Sequence, residues 1–371
     1  MKITNWFDIT DVHKIDTPAL IVYPDRVRHN IAAAKKIIGN LSRLRPHVKT
    51  HKCVQVVQMM LDAGITKFKC ATIAEAEMLA MCKAPDVLLA YQPVGPKIER
   101  LLQLIRHYPD TSFTCLVDNA DSAALMAMAA RSRQLTLPVY IDLNVGMNRT
   151  GIDADNGALQ LYQTCLTLQG IKPIGLHAYD GHADTADLSE RQKQVNKIFD
   201  HINRLKKEIT NAGIAMPVIV IGGSPNFGIY AQIPDVECSP GTFVYWDANY
   251  RQAYPELDFL PAALVLTRVV SLPGPGLLCL DLGHKSVAAE QPLIRRVAFI
   301  NAPQLTIVSQ SEEHLIVDAG IEHRYKVGDV FYGLPAHICP TVALYGSMAT
   351  VEDHQVTGEW QVIARERKIN F

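Results

Sequence analysis

KFKCATIAEAEMLAMC, residues 67–82, reads as one short strand run directly into a helix. Lys67–Ala71 has the length and composition of a strand, and Ile73–Cys82 that of a helix. The same couplet recurs on both sides. Strands are predicted at Ala19–Tyr23, Leu44–Lys49, Val87–Tyr91, Ser112–Val117, Pro138–Leu143, Lys172–His177 and Pro217–Gly222. Helical stretches such as Asp25–Ile38, Cys53–Ala63, Pro96–His107, Asn119–Ser132, Gly157–Leu168 and Ser189–Ala212 alternate with them. Strands separated by helix-sized connections build a parallel sheet. Eight of them at roughly 25- to 30-residue spacing favour a closed (β/α)₈ TIM-like barrel over an open sheet. No strand–GxGxxG–helix unit appears, which removes the main argument for a dinucleotide-binding sheet.

After Tyr250 the texture changes. AALVLTRVVS, GLLCLDLG, QLTIVSQS, EHLIVDAG and VGDVFYGL are strands broken by Gly, Pro, Asn and Asp, without a helical period. The expected organisation is a barrel over 17–250 and a C-terminal all-β domain over 251–371, with residues 1–16 adding a strand to one or the other.

Composition narrows the function. The 371 residues are 48% hydrophobic and 20% charged, ordinary globular usage that excludes disorder and coiled coil. Lys+Arg (36) nearly cancels Asp+Glu (37), so no global field draws in nucleic acid or an anionic membrane. No apolar run approaches the roughly 20 residues of a membrane span, and the start, MKITNWFDITDVHKIDTP, lacks the pattern of a signal peptide. Eight scattered cysteines without a CxxC suit buried thiols in a reducing compartment, so a cytoplasmic enzyme acting on a small molecule is expected.

Barrel active sites form at the C-terminal strand ends. The second predicted strand ends in RPHVKTHK (45–52). If it is extended, alternation puts His47, Lys49 and His51 on one face. A strand-end lysine ringed by His47, His51 and Lys52 is a better nucleophile toward aldehydes, since desolvation and neighbouring cations favour the neutral amine; the plainer reading is a solvated basic loop. The eighth strand ends in Gly222-Gly223-Ser224, where bare backbone and a hydroxyl suit a phosphate, although Gly-Gly-Ser is also an ordinary loop. A lysine anchor with a phosphate cradle is what pyridoxal 5′-phosphate requires. His177 and Tyr179 share a face of the seventh strand and can meet a flat ring. Arg149, after a Gly-Met-Asn turn, can donate to a phenolic oxygen or a carboxylate, or else form a loop salt bridge. In the β domain, LPAHICPT (334–341) places His337 and Cys339 two residues apart. In an extended segment they lie on one side, as two ligands of one cation would. Thiolate beside imidazole favours zinc, with manganese open; a lone HxC also occurs by chance.

With these residues in hand, the chain resembles the D-threonine aldolase and D-serine dehydratase family of alanine-racemase-like pyridoxal-phosphate enzymes. The resemblance spans essentially the whole chain and rests on DTPAL (16–20), RPHVKTHK, AEAEML (74–79), GMNRTG (146–151), GLHAYDGH (175–182), GGSPN (222–226) and HICPT (337–341). It implies a head-to-tail homodimer, with Lys49 bonded to the cofactor's aldehyde and His177, Tyr179, Arg149 and Gly222–Ser224 around the cofactor. It makes His337 and Cys339 the ligands of a divalent cation (zinc, manganese or magnesium) that faces a substrate β-hydroxyl. SPGTFVY (239–245) is similar to an Arg-Pro-Gly stretch of the racemases in which the arginine faces the pyridine nitrogen. Ser239 stands in that place, and Tyr245 is a candidate phosphate ligand. Aldolase and dehydratase would use the same groups, and overall similarity favours the aldolase. A racemase needs acid–base groups on both ring faces, and the resemblance gives one of those sides to the metal segment. A cofactor carrier would be a single barrel without the β domain.

Overall fold

The computed structural model describes residues 5–371. Its strands run as two sheets, one in each of two compact units. β1 (Ala19–Val22) belongs to the second sheet. β2 (Lys67–Cys70), β3 (Asp86–Leu89), β4 (Ser112–Val117), β5 (Leu137–Asn144), the two-residue β6 (Ile152–Asp153), β7 (Ile171–Ala178), β8 (Val218–Ile221) and β9 (Val236–Cys238) make the first. They lie in one unit formed by Ala34–Lys49, Val57–Gly241 and Glu366–Phe371.

The order β2-β3-β4-β5-β7-β8-β9 is parallel throughout, with β6 a stub on the end of β5. The ring closes through residues 44–47: Leu44 bridges Cys238 and His47 bridges Lys69. Arg45 N donates to Cys238 O (2.9 Å), His47 N to Pro240 O (2.9 Å) and Lys69 N to Pro46 O (2.8 Å). This is the eighth stave. It is no regular strand, contrary to the expectation for Leu44–Lys49, because Pro46 has no N–H to offer the ladder. Arg45 locks the seam from inside, giving Nε to Glu237 (2.7 Å) and both Nη to Asp86 (2.6 and 3.0 Å). Leu88, Leu116, Tyr140 and Val220 fill the interior between staves.

Helices follow strands abruptly because short polar side chains cap them. Thr72 accepts from Glu75 N (3.1 Å), Asn119 from Ser122 N (2.8 Å) and Asp187 from Glu190 N (2.8 Å), each meeting an otherwise unpaired N–H of the first turn. The final residues return to this unit. Asn370 Nδ2 donates to Glu77 Oε1 (2.6 Å), which explains a buried glutamate in the apolar helix Ile73–Met81.

The second unit takes the chain up to Ala33, Thr50–Val56 and Thr242–Arg365. Its strands are β10 (Ala263–Gly274), β11 (Leu277–Leu280), β12 (Val297–Phe299), β13 (Thr306–Gln310), β14 (Leu315–Asp318), β15 (Val330–Pro335), β16 (Ser347–Glu352) and β17 (Gln355–Gln361). Every β-domain segment read from the sequence is a strand here. β1 lies between β10, antiparallel, and β16, parallel. This corrects the placing of Ala19–Tyr23 in the barrel; the missing barrel member is β9, three residues long and too short to show a pattern. Phe7, Ile9, Ile21, Tyr23, Leu264 and Tyr332 share this unit's core. Residues 5–16 contain turns and a single 3₁₀ turn, Val12–Lys14, but no strand. The first four residues of the expected 1–16 segment lie outside the described residues. Among the described residues no helix is long and apolar enough to cross a membrane.

Candidate active site

The barrel unit gathers its unusual side chains at the C-terminal strand ends. Lys49 sits on a 3₁₀ turn, Val48–Thr50, just past the closing stave, with its N–H donating to His47 Nδ1 at 3.2 Å. The turn replaces the extended face on which His47, Lys49 and His51 were expected together. His51 supplies no charge: burial pulls its pKa down to about 3, and Nδ1 accepts from Cys53 N at 3.3 Å. Instead, the cation beside Lys49 is Lys69 on β2, which the sequence reading missed. Lys49 Nζ lies 5.7 Å and Lys69 Nζ 5.9 Å from the centroid of the Tyr179 ring, and the Arg149 guanidinium 4.9 Å from it. Two amines and a guanidinium around one aromatic ring suit an anionic aromatic ligand.

His177, at the end of β7, is buried, and its Nδ1 meets Asp142 Oδ1 on the neighbouring β5 at 2.7 Å. Gln92 donates to the other carboxylate oxygen at 2.7 Å. Burial alone would raise the Asp142 carboxyl, but hydrogen bonds from His177, Thr150 and Gln92 hold it below the usual range. Burial lowers His177 despite Asp142. A neutral imidazole whose Nδ1–H donates to Asp142 keeps Nε2 as an acceptor. That Nε2 is buried without a hydrogen-bond partner. A buried, unpartnered nitrogen in a polar mouth is a place for a ligand donor.

The Gly222–Ser224 loop follows β8. Gly222 has φ +77°, and a Cβ there would lie 2.7 Å from the Tyr230 ring. Tyr230 cannot yield, because it is buried and its hydroxyl is tied to Asp180 at 2.8 Å. A Cβ on Gly223 would stand 3.1 Å from Tyr179. Ser224 is buried, and its Oγ accepts from Gly241 N at 3.1 Å. Backbone pressed this close to Tyr179 can present its N–H groups to a phosphate. Gly222→Ala combines a left-handed backbone with a clash, so we expect a loss of about 2–4 kcal/mol in stability. Urea unfolding checks this; a midpoint equal to wild type would show that the loop adapts freely. Tyr245 lies in the other unit, where its hydroxyl meets Met348 Sδ (3.4 Å) and Cys53 Sγ (3.9 Å).

In the β-sheet unit, His337 is extended and caps the short helix Ile338–Val342, so Cys339 is helical rather than extended as the sequence suggested. The two side chains still interact across that first turn. Burial works against the His337 imidazolium, but Cys339, Glu290 and Asp247 lift its pKa to about 9. Glu290 Oε1 sits 2.7 Å from His337 Nδ1. Burial pushes the Asp247 carboxyl up to about 6, although it accepts from Tyr250 N and Ile338 N. Neither carboxylate was singled out from sequence. Among the described residues no three His, Cys, Asp or Glu side chains converge as a ready-made ion site. An imidazole and a thiol thus offer two ligands of the type that a borderline cation takes, and leave positions for water or substrate.

Residues 22–249, which hold Lys49, Lys69, Arg149, His177, Tyr179 and Gly222–Ser224, match the family described as alanine racemase, N-terminal domain. The chain belongs to that alanine racemase family. Residues 262–351 of this alanine racemase family member, including His337 and Cys339, match a putative serine dehydratase domain. A D-threonine aldolase of Arthrobacter sp is 28% identical over 95% of this chain and 93% of its own. A D-threo-3-hydroxyaspartate dehydratase of Delftia sp. (strain HT23) is 24% identical over 89% and 93%. Among solved structures, D-threonine aldolase from Filomicrobium marinum superposes with TM-score 0.88 at 24% identity, covering 95% of this chain and 96% of that one. The racemase-like fold and the family resemblance read from motifs both hold.

Proposed function

We propose that the protein is a pyridoxal 5′-phosphate- and divalent-metal-dependent lyase acting on D-β-hydroxy amino acids, and most specifically a D-threonine aldolase. The observation that carries this reading is the cluster around Tyr179: two lysines, Arg149, the unpartnered His177 Nε2 and the Gly222–Ser224 backbone. When bound, pyridoxal phosphate supplies an electron sink for a bond broken at an amino acid's α-carbon. Lys49 is the amine placed to bond its aldehyde and, when free, to accept or return a proton. His177, whose Nδ1 meets Asp142, would offer Nε2 as a single acceptor to the bound group. The Arg149 guanidinium would donate to a phenolate or carboxylate. Gly222–Ser224 would hold the phosphate. His337 and Cys339 would hold a divalent cation, which would supply Lewis acidity when bound.

The D-threonine aldolase likeness over nearly the full chain supports carbon–carbon cleavage. A second reading, a D-serine or D-threo-3-hydroxyaspartate type dehydratase, is favoured by the serine dehydratase domain match over 262–351. Products separate the two. With D-threonine, glycine plus acetaldehyde is expected from the metal-loaded protein. 2-Oxobutyrate with ammonia would establish the dehydratase, and epimerisation of D-threonine at Cα to L-allo-threonine without cleavage would overturn both.

A further inference from the structure

A cavity of about 340 Å³ lies beyond the ends of β2 and β3, wholly within the barrel unit. Ile73, Leu89 and Tyr91 give it an apolar side, and Lys97, Arg100 and Arg367 a cationic one; no carboxylate lines it. Lys49, Arg149, His177, Tyr179 and Gly222–Ser224 are not among its lining residues. We propose that this cavity is a second small-molecule site, which takes an organic monoanion with its carboxylate toward Lys97, Arg100 and Arg367 and a hydrocarbon body against Ile73, Leu89 and Tyr91. The volume is at the small end for ligand sites and admits a molecule of roughly ten non-hydrogen atoms.

The final residues of the chain help to build this wall. Arg100, on the helix Pro96–His107, gives Nη2 to Arg367 O (2.9 Å) and to Phe371 O (2.6 Å). The Phe371 ring packs 5.0 Å from the His107 ring and Asn370 is tied to Glu77, so the segment that carries Arg367 is anchored. Arg100 Nε is buried and has no hydrogen-bond partner. A buried charged donor left without an acceptor is costly, and an anion at this wall offsets that cost. Lys97 rests over Tyr91, its Nζ 4.5 Å from the ring centroid. A ring face leaves the ammonium's charge unneutralised, and the ring adds apolar surface beside it. Among the described residues neither Lys97 nor Arg367 is paired with a carboxylate. Glu75, in the first turn of Ile73–Met81, does not line the cavity; its Oε2 accepts from Ala71 N at 2.6 Å. Three cations without a carboxylate favour an anion, and the apolar side favours one with a hydrocarbon body over a bare phosphate.

Calorimetric titration with 3-phenylpropionate tests this on the full chain, loaded with pyridoxal 5′-phosphate and freed of excess. The expected result is one saturable site, weakened about fivefold or more in Lys97→Gln and in Arg367→Gln and unchanged in Arg149→Gln. Lys97 and Arg367 both reach solvent, so these variants keep the fold, which circular dichroism checks. 3-Phenylpropan-1-ol has the same body without the charge, and inorganic phosphate has charge without the body. Each should bind about tenfold more weakly or worse, and either one binding as tightly as 3-phenylpropionate overturns the proposed class. No saturable binding of 3-phenylpropionate, or wild-type affinity in Lys97→Gln or Arg367→Gln, overturns the site. Affinity lost in Arg149→Gln would put the probe at the mouth already described and overturn it too. A chain that takes up no pyridoxal phosphate would sink the reading of that mouth and leave this titration readable, so the two failures are told apart.

Discussion

Lys49→Ala leaves a protein that binds no cofactor covalently: the visible band disappears and turnover falls on the order of 10³-fold or more. The expectation is steep because the lysine supplies the bond that holds the aldehyde and the nearest proton acceptor. Absorbance spectra of the purified variant, with circular dichroism to show that the fold is intact, check it. The neighbour makes this test sharper than usual. Lys69 Nζ lies only 0.2 Å farther from the Tyr179 centroid than Lys49 Nζ (5.9 against 5.7 Å). A band that persists in Lys49→Ala and vanishes in the double variant Lys49→Ala/Lys69→Ala would move the anchoring role to Lys69 and sink the assignment of Lys49.

The second large effect concerns the β-sheet unit. His337→Ala, or exhaustive chelation, should lower turnover by about 10²-fold or more while the visible band remains, because the pair at 337 and 339 is proposed to hold the Lewis acid and not the cofactor. Restoring turnover by adding back zinc or manganese after chelation, but not in His337→Ala, would tie the metal to that side chain. Colour lost along with activity would mean instead that the segment holds the fold together. That outcome has a physical basis: Ile338 N is held by buried Asp247, and Thr341 Oγ1 donates to His337 O, so the turn is structurally integrated.

The sequence was legible wherever one element decided its own conformation. Ile73–Met81 has a threonine cap, and β11 and β14 each have an unbroken apolar face. It was illegible where conformation is decided by partners far along the chain. Ala19–Val22 has the apolar run of a barrel strand, and only its pairing with Ala263–Leu266 sends it elsewhere. Val236–Cys238 is too short for any pattern, and Pro46 hides a stave that takes part in the barrel through isolated bridges. Lys49, His177 and Tyr179 were legible from predicted strand ends and Arg149 from the turn beyond one, while the roles proposed for them came from the motifs that carry the family resemblance. Lys69 was hidden inside a strand whose neighbouring Lys67 is half-exposed and paired with Glu237, so alternation on KFKC offered two lysines on one face with no sign that they differ. Asp142 was hidden in the same way: a carboxylate inside PVYIDLN gains its purpose from His177, one stave over.

The position of β1 has a consequence for how the molecule is made. Among the described strands it is synthesised first, and it lies between β10 and β16, whose pairing partners for it begin about 240 residues later. It must wait through synthesis of most of the chain with its apolar face unpaired, and contacts so distant in sequence form slowly. Nascent chains halted before Ser347 would therefore expose a sticky N-terminal segment to protease and chaperone, while completed chains would hide it.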